Sequence, residues 1–244
     1  MTGTNADVGR LEAVVLAGGL GTRLAGVLGG QPKALAPIGG RPFVTFLFDW
    51  LARASVARVV LSTGHLADRI EGALGRAHAA LPLAYAVETT PLGTAGAIVH
   101  AAALTRADPL LVLNGDSFVE LDLAALVRAA AGRAGHVSIA VVAVPDGARF
   151  GTVQLDPSDR VVGFHEKTGQ RAAGWINAGV YMVPRAVIAD WPATRPLSFE
   201  HDVLPAALPK GVFAYRCAAG ARFIDIGTPE SLAEAERFFA AVRP

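Results

Sequence analysis

LAGGLGTRL, residues 16–24, begins inside a short apolar run, AVVLA at residues 13–17. An apolar run of this length that ends in glycines reads as a buried strand. The chain then leaves that strand through Gly18, Gly19 and Gly21 and meets a cation, Arg23. A tight turn, a dinucleotide fingerprint and a phosphate cradle would each look like this. The dinucleotide fingerprint needs G-x-G-x-x-G, and Leu24 stands where its third glycine should be. The P-loop needs G-K-[ST], yet the nearest lysine, Lys33, lies between Pro32 and Ala34. There remains a loop whose backbone N–H groups face an anion, with Arg23 as a fixed bidentate cation. On the loop alone, a surface turn with a solvated Arg23 fits as well. Lys33 adds weight to the cradle, because Pro32 favours an extended Gln31 and so presents the lysine on an ordered loop. A second cation suits a triphosphate, which brings about four negative charges.

Beyond this loop, strands and helices alternate. Helices are expected over residues 43–54, 66–74 and 93–104, and strands over 58–62, 83–87 and 110–113. That alternation predicts right-handed βαβ units and a largely parallel sheet. After Asp116 the texture changes: a helix over 123–131 is followed by strands at 137–144, 152–155, 161–165 and 176–183. A mixed sheet is expected there, then a last strand at 223–226 and a closing helix at 229–242 with Thr228 as its N-cap.

Bulk properties exclude several classes. The chain has 244 residues, 52% of them hydrophobic, and a formal net charge of +1. No apolar run reaches the roughly 18 residues of a membrane span, and the start, MTGTNADVGR, lacks an apolar signal region. A near-neutral balance without basic runs argues against nucleic acid as a partner. The single cysteine, Cys217, rules out an internal disulfide and fits a reducing compartment, so a cytoplasmic protein without membrane association is expected. No linker marks a second domain. The expectation is one domain over residues 1–244, in two halves of different texture at about 11–116 and about 117–244. A homo-oligomer is compatible with all of this.

Two aspartates stand out. Asp116 follows the run LLVL at the carboxyl edge of the sheet, where open α/β sheets gather ligands; an Asn-Gly-Asp turn is the plainer reading. Asp225 lies between Ile224 and Ile226, an expensive place for a carboxylate unless it is paired, hydrogen-bonded or on a metal. Two carboxylates with phosphate oxygens and water suit Mg²⁺. Asp122 and Asp202 read as caps, His65, His165 and His201 as isolated structural residues, and Cys217 as a core thiol. No Ser-His-Asp or Cys-His constellation offers a nucleophile.

The run LAGGLGTRL…PKALAPIGGRP resembles the opening signature of the sugar-1-phosphate nucleotidyltransferases. The likeness continues, in the family's order, at PLGTAGAI, LVLNGDSF, GFHEK, INAGVY and FIDIGTPE. It implies a Rossmann-like, GT-A-like α/β fold with a mostly parallel mixed central sheet flanked by helices. It also implies Mg²⁺-dependent transfer of a nucleotidyl group from an NTP to a sugar 1-phosphate, with release of pyrophosphate. Carried over position by position, it makes Arg23, Lys33 and Lys167 the cations of the reaction and Asp116 and Asp225 the metal ligands. Leu16, Ala17, Gly18, Gly19, Gly21, Thr22, Glu88, Pro91, Gly93, Thr94, Asn114 and Gly115 would line the nucleotide. Gly151, Glu166, Asn177 and Gly179 would meet the sugar, with Gly179 permitting close approach of backbone to ligand. Without the resemblance, Glu166 and Lys167 read as an exposed charged strand end.

Glu88 bears on the base. A carboxylate only accepts hydrogen bonds, and guanine offers two adjacent donors where uracil and thymine offer one. That leans toward GTP, unless the carboxylate is already tied to a backbone amide. The overall pattern is most similar to D-glycero-α-D-manno-heptose 1-phosphate guanylyltransferases. Mannose-1-phosphate guanylyltransferase and uridylyl- or thymidylyltransferases of N-acetylmuramate or glucose 1-phosphate are the alternatives. Two other classes fit less well. A turnover-dead sensor tends to lose the loop arginine or a metal aspartate, and a glycosyltransferase wants Asp-x-Asp where Asp116-Ser117-Phe118 stands.

Overall fold

The structure, a computed structural model, describes residues 8–19, 21, 24–147, 150–165, 173–192 and 196–240. In the first half the strands are β1 (Glu12–Leu16), β2 (Pro37–Ile38), β3 (Arg41–Pro42), β4 (Arg58–Thr63), β5 (Ala77–His78), β6 (Leu81–Val87) and β7 (Leu110–Asn114). In the second half they are β8 (Ser117–Val119), β9 (Val137–Val144), β10 (Thr152–Leu155), β11 (Val161–His165), β12 (Gly174–Val183), β13 (Val212–Arg216) and β14 (Phe223–Asp225). The α-helices are α1 (Ala25–Leu28), α2 (Val44–Arg53), α3 (Ala67–Leu74), α4 (Gly93–Ala102), α5 (Leu123–Ala131), α6 (Arg185–Ala189), α7 (Leu204–Ala207) and α8 (Pro229–Ala240).

Ten strands form one mixed sheet in the order β11-β10-β12-β7-β1-β4-β6-β5, with β9 on β12 and β13 on β9. Its centre, β7-β1-β4-β6, is parallel. β12 joins antiparallel to β7 and to β9, and among the described residues of the second half only the β9–β13 pair is parallel. The chain steps from β1 outward to β4 and β6, then returns over α4 to β7 on the other flank of β1. The direction of winding therefore reverses between β1 and β7, and a crevice opens beyond their carboxyl ends.

Both faces of the centre are covered, which explains its near-continuous apolar runs. Along β1, Ala13 and Val15 enter the core under α2, and Val14 enters the core under α4. Helix α2 buries Val44, Leu47, Phe48 and Leu51, a stripe at 3.6-residue spacing. The small side chains of α4, Ala95 and Ala101 beside Ile98, let it lie close to the sheet.

A separate two-stranded ladder pairs β8 with β14: Val119 opposes Phe223, Phe118 opposes Ile224 and Ser117 opposes Asp225. A fork of hydrogen bonds closes its far end, where Arg222 Nε and Nη2 donate to Glu120 Oε2 and Oε1 at 3.0 and 2.6 Å. The guanidinium's hydrogen bonds hold the Glu120 carboxyl below its ordinary range against a smaller opposing effect of burial. Helix α8 packs Phe239 against Phe118 and Phe43.

The expected elements are present with ends shifted by a few residues: the first strand runs Glu12–Leu16 and the strand expected from residue 176 begins at Gly174. Asp122 caps α5 by accepting from Ala125 N, and Thr228 Oγ1 accepts from Ser231 N at the start of α8. Asp202 accepts from Ser198 N, whose hydroxyl in turn accepts from His201 N. Cys217 is buried, and burial pushes its thiol up to about 11. The sequence reading missed β13, β8, the two-residue strands and the helical turns between residues 185 and 210. Among the described residues, no helix is long and apolar enough to cross a membrane.

Candidate active site

A cavity of about 720 Å³ opens over the carboxyl ends of the central strands. Of the residues expected at the nucleotide, Leu16, Ala17, Gly18, Gly19, Glu88, Pro91, Gly93, Thr94, Asn114 and Gly115 line it. Lys33 and Asp116 line it too. Gly21 lies just behind, where a side-chain carbon would stand 3.3 Å from Lys33 Cβ. Thr22, Arg23, Glu166 and Lys167 lie outside the described residues. Gly151, Asn177, Gly179 and Asp225 are not among its lining residues. Asn177 and Gly179 stand against the lining side chains Glu200 and Asn114, Asp225 adjoins Ile226, which bonds Asp116, and Gly151 lies just before β10, near His165 O.

The chain reaches Asp116 through Gly115, whose N–H donates to Leu16 O at 2.9 Å. A Cβ on Gly115 would lie 2.5 Å from that same oxygen. Only a glycine lets the end of β7 cross the end of β1 this closely.

Asp116, in the turn between β7 and β8, lies beside Asp225 at the end of β14: Ile226 N donates to Asp116 O at 2.9 Å, and Asp225 opposes Ser117 in the ladder. Gly227 N donates to Asp225 Oδ1 at 2.6 Å. Lys33 donates from Nζ to Asp116 Oδ2 at 2.6 Å. The same ammonium is 3.7 Å from where a Gly227 Cβ would stand, beside Asp225. A lysine from the loop after α1 thus brings positive charge to a pair of converging carboxylates. Among the described residues no three His, Cys, Asp or Glu side chains cluster as a complete metal cage. Two hard carboxylate donors fit a Mg²⁺ that completes its shell with phosphate oxygens and water.

Under β4 and β6, Glu88 is held at both oxygens. Ser62 Oγ donates to Oε1 at 3.2 Å and Leu92 N donates to Oε2 at 3.0 Å. The backbone-amide tie weighed from sequence is real, but it uses one acceptor position. An ionised carboxylate has about four, so Glu88 retains capacity toward the cavity it lines.

At the β7–β12 side stands a residue that sequence reasoning passed over. Glu200 Oε1 accepts from Tyr181 OH at 2.7 Å and from Asn114 Nδ2 and Asn177 Nδ2, each at 3.2 Å. Asn177 also donates to Tyr181 OH at 2.7 Å. Tyr181 is fully buried; burial first, then the charge and hydrogen bond of Glu200, push its phenol well above the ordinary value, so it stays a donor. A bulge aims this cluster. Asn177 opposes Val141 and Tyr181 opposes Ile139, so four steps along β12 match two along β9. Gly179 lies in that bulge at φ +73°, and a Cβ there would stand 2.6 Å from Ser117 Oγ and 3.0 Å from Asn114 Nδ2. The glycine expected to admit a ligand is required in any case by these two side chains.

Glu200 itself is carried on a single wide π turn, Phe199–Val203. The segment before it clips onto the start of α4: Leu197 N donates to Leu92 O, Ala95 N to Leu197 O, and Phe199 N to Thr94 Oγ1 at 2.7 Å. Nothing in the run SFEHDV marks Glu200 from sequence, since acidic residues are common in the first turn of any helix.

A crevice at the winding reversal, glycines in its lining and a Lys–Asp–Asp cluster beside it are the features of a nucleotide-binding α/β protein. The nucleotidyl transferase family model matches residues 12–242, and the chain belongs to that family. It is 34% identical to a D-glycero-α-D-manno-heptose 1-phosphate guanylyltransferase of Aneurinibacillus thermoaerophilus, over 93% of this chain and 97% of that protein. It is 39% identical to a mannose-1-phosphate guanylyltransferase of Mycobacterium tuberculosis over 91% of this chain, spanning 62% of that protein. Among solved structures, HddC from Yersinia pseudotuberculosis complexed with GMP-PN superposes with a TM-score of 0.84. It is 35% identical, and the match covers 94% of this chain and 99% of HddC.

Proposed function

We propose that this chain transfers a guanylyl group from GTP to a sugar 1-phosphate, with D-glycero-α-D-manno-heptose 1-phosphate as the preferred acceptor. The products are the GDP-sugar and pyrophosphate. The observation that carries the reading is the cavity itself: Glu88 at the β4–β6 end, glycines and Lys33 in its lining, and Asp116 in the turn after β7, with Asp225 beside it at the end of β14. The end-to-end likeness to a heptose 1-phosphate enzyme and the GMP-PN bound by HddC support the acceptor and the base.

The chemistry follows from the charges. A sugar phosphate is largely a dianion near neutrality, its second pKa being about 6. One of its oxygens attacks the α-phosphorus of GTP, and the bond to the pyrophosphate oxygen breaks. No proton has to be removed, so no general base is required. The work of the protein is alignment and charge neutralisation. Loop amides at Gly18 and Gly19, with Arg23, hold the β- and γ-phosphates. Lys33 meets charge near the leaving pyrophosphate, and Lys167 meets the incoming phosphate. Asp116 and Asp225 would hold Mg²⁺, which when bound neutralises phosphate charge between the two substrates. The two remaining acceptor positions of Glu88 suit the adjacent N–H groups of guanine.

The test is pyrophosphate release with Mg²⁺, crossing GTP, UTP, dTTP and ATP against heptose, mannose, glucose and N-acetylmuramate 1-phosphates. Turnover confined to GTP with heptose 1-phosphate is expected. Turnover with UTP or dTTP instead overturns the guanine reading, and no turnover from folded protein overturns the activity.

A further inference from the structure

We propose that Glu200 is a specificity-determining residue of the acceptor site, its Oε2 taking a hydrogen bond from a hydroxyl of the sugar. The inference rests on the transfer reaction proposed above and adds a residue to it.

Three features point there. The first is the division of labour within one carboxylate. Oε1 is bonded by Tyr181, Asn114 and Asn177, while Oε2 accepts no hydrogen bond among the described residues, although Glu200 lines the cavity. A carboxylate that is anchored through one oxygen and open at the other is preorganised for a donor. The second is rigidity. The anchoring phenol is fully buried, and the Phe199 ring beside it packs edge-on against Tyr181 at 4.8 Å. The third is charge and place. Glu200 sits by β7 and β12, whereas Glu88 stands at the far end by β4 and β6. Four inter-strand steps separate β12 from β6, about 19 Å at ordinary sheet spacing. A negative group repels phosphate, so what it faces must be the neutral, hydroxyl-bearing part of the acceptor. The sugar then lies with its phosphate toward Lys33 and Asp116 and a hydroxyl toward Glu200.

The decisive variant is Glu200→Gln. Its carbonyl oxygen takes over the three donors that hold Oε1, and its NH₂ replaces Oε2, turning an acceptor into a donor with little change of shape. The KM for the acceptor that wild type turns over fastest is expected to rise about tenfold to a hundredfold, the range for a charge-assisted hydrogen bond. The KM for GTP stays within about twofold. Repeated on the monodeoxy analogues of that acceptor, the penalty disappears for the one analogue that lacks the partner hydroxyl. Glu200→Asp, which keeps the charge but withdraws it by one methylene, is the companion variant and is expected to show the same split; thermal melts establish that each is folded. An equal rise in both KM values, or a penalty that is constant across all the deoxy analogues, overturns the proposal. Absence of wild-type turnover with every sugar 1-phosphate instead overturns the transfer reaction, and this assignment with it.

Discussion

Gly115→Ala tests the crossing on which the site depends. The backbone of Gly115 is outside the left-handed region, so alanine meets no conformational penalty and only the contact is probed. The new Cβ would stand 2.5 Å from Leu16 O, 3.2 Å from Leu16 C and 3.3 Å from Val15 Cγ1. That is roughly 1 Å short of ordinary contact, and all but one of these atoms are backbone in the central strand. Relieving it means separating the ends of β1 and β7, which stretches the 2.9 Å bond from Gly115 N to Leu16 O. Overpacking of this kind costs about 1–3 kcal/mol, and the lost hydrogen bond about 1 kcal/mol more. At about 2–4 °C per kcal/mol for a chain of this size, Tm should fall by roughly 5–15 °C. Asp116 moves with Gly115, and a misplacement of about 1 Å at a reacting centre can cost on the order of a hundredfold in rate. Differential scanning calorimetry and pyrophosphate release on the same preparation read both effects. A variant with wild-type Tm and wild-type kcat would refute the claim that this crossing is tight.

Three further substitutions separate the parts of the site. Gly19→Ala meets no atom of the described residues within 4 Å, so its Tm is expected to match wild type while the KM for GTP rises several-fold; an unchanged KM would mean that phosphates do not approach this loop. Lys33→Ala removes the cation held 2.6 Å from Asp116 and should lower kcat by about 10²–10³, measured under saturating GTP; a loss confined to KM would contradict a role at the leaving pyrophosphate. Glu120→Gln weakens the fork to Arg222 that closes the β8–β14 ladder. Because the Glu120 carboxyl is held below its ordinary value of 4.5, its contribution is fully present above that pH and is lost as pH falls through the lower folded value. The stability gap between wild type and Glu120→Gln should therefore be largest near neutrality, on the order of 1 kcal/mol for so exposed a pair, and should close as the pH falls through that lowered value. A gap of the same size at both ends would assign the effect to packing.

Much of the fold is written in local pattern. The central strands are covered on both faces, so each appears as a short unbroken apolar run, and the alternation of those runs with amphipathic stretches such as residues 44–53 leaves little choice of architecture. What escaped the reading was short or lay at an edge. Residues 117–119 make a strand only because β14 returns, more than a hundred residues later, to pair with them. The run VFAYR at 212–216 did carry a strand signal in its β-branched and aromatic residues, but its place beside β9 depends on a parallel partner that no neighbouring segment announces.

The site divides along the same physical line. Residues that act through the backbone of one loop, or at the end of one buried strand, are visible locally: the glycines after β1, Lys33 behind its proline, and Asp116 at the end of LLVL. Asp225 was visible for a different reason, since a carboxylate between two isoleucines is too costly to be idle. Glu200 offers no such clue. Its position is produced by three separate elements, the bulge in β12, the end of β7 and the π turn, none of which has meaning until they converge. Glu88 shows the intermediate case. Its acceptor chemistry could be read from its type, but the Ser62 hydroxyl and Leu92 amide that restrict it come from β4 and the approach to α4. A carboxylate whose protein partners lie far apart in sequence is one whose orientation is set by the fold, and this cavity has such a group at each end. In the transfer reaction proposed above, phosphates bound between them would carry negative charge that both ends repel. That reading therefore has one alignment of the substrates, with the base at Glu88, the acceptor's hydroxyls at Glu200, and the reacting phosphates at Lys33 and the two aspartates.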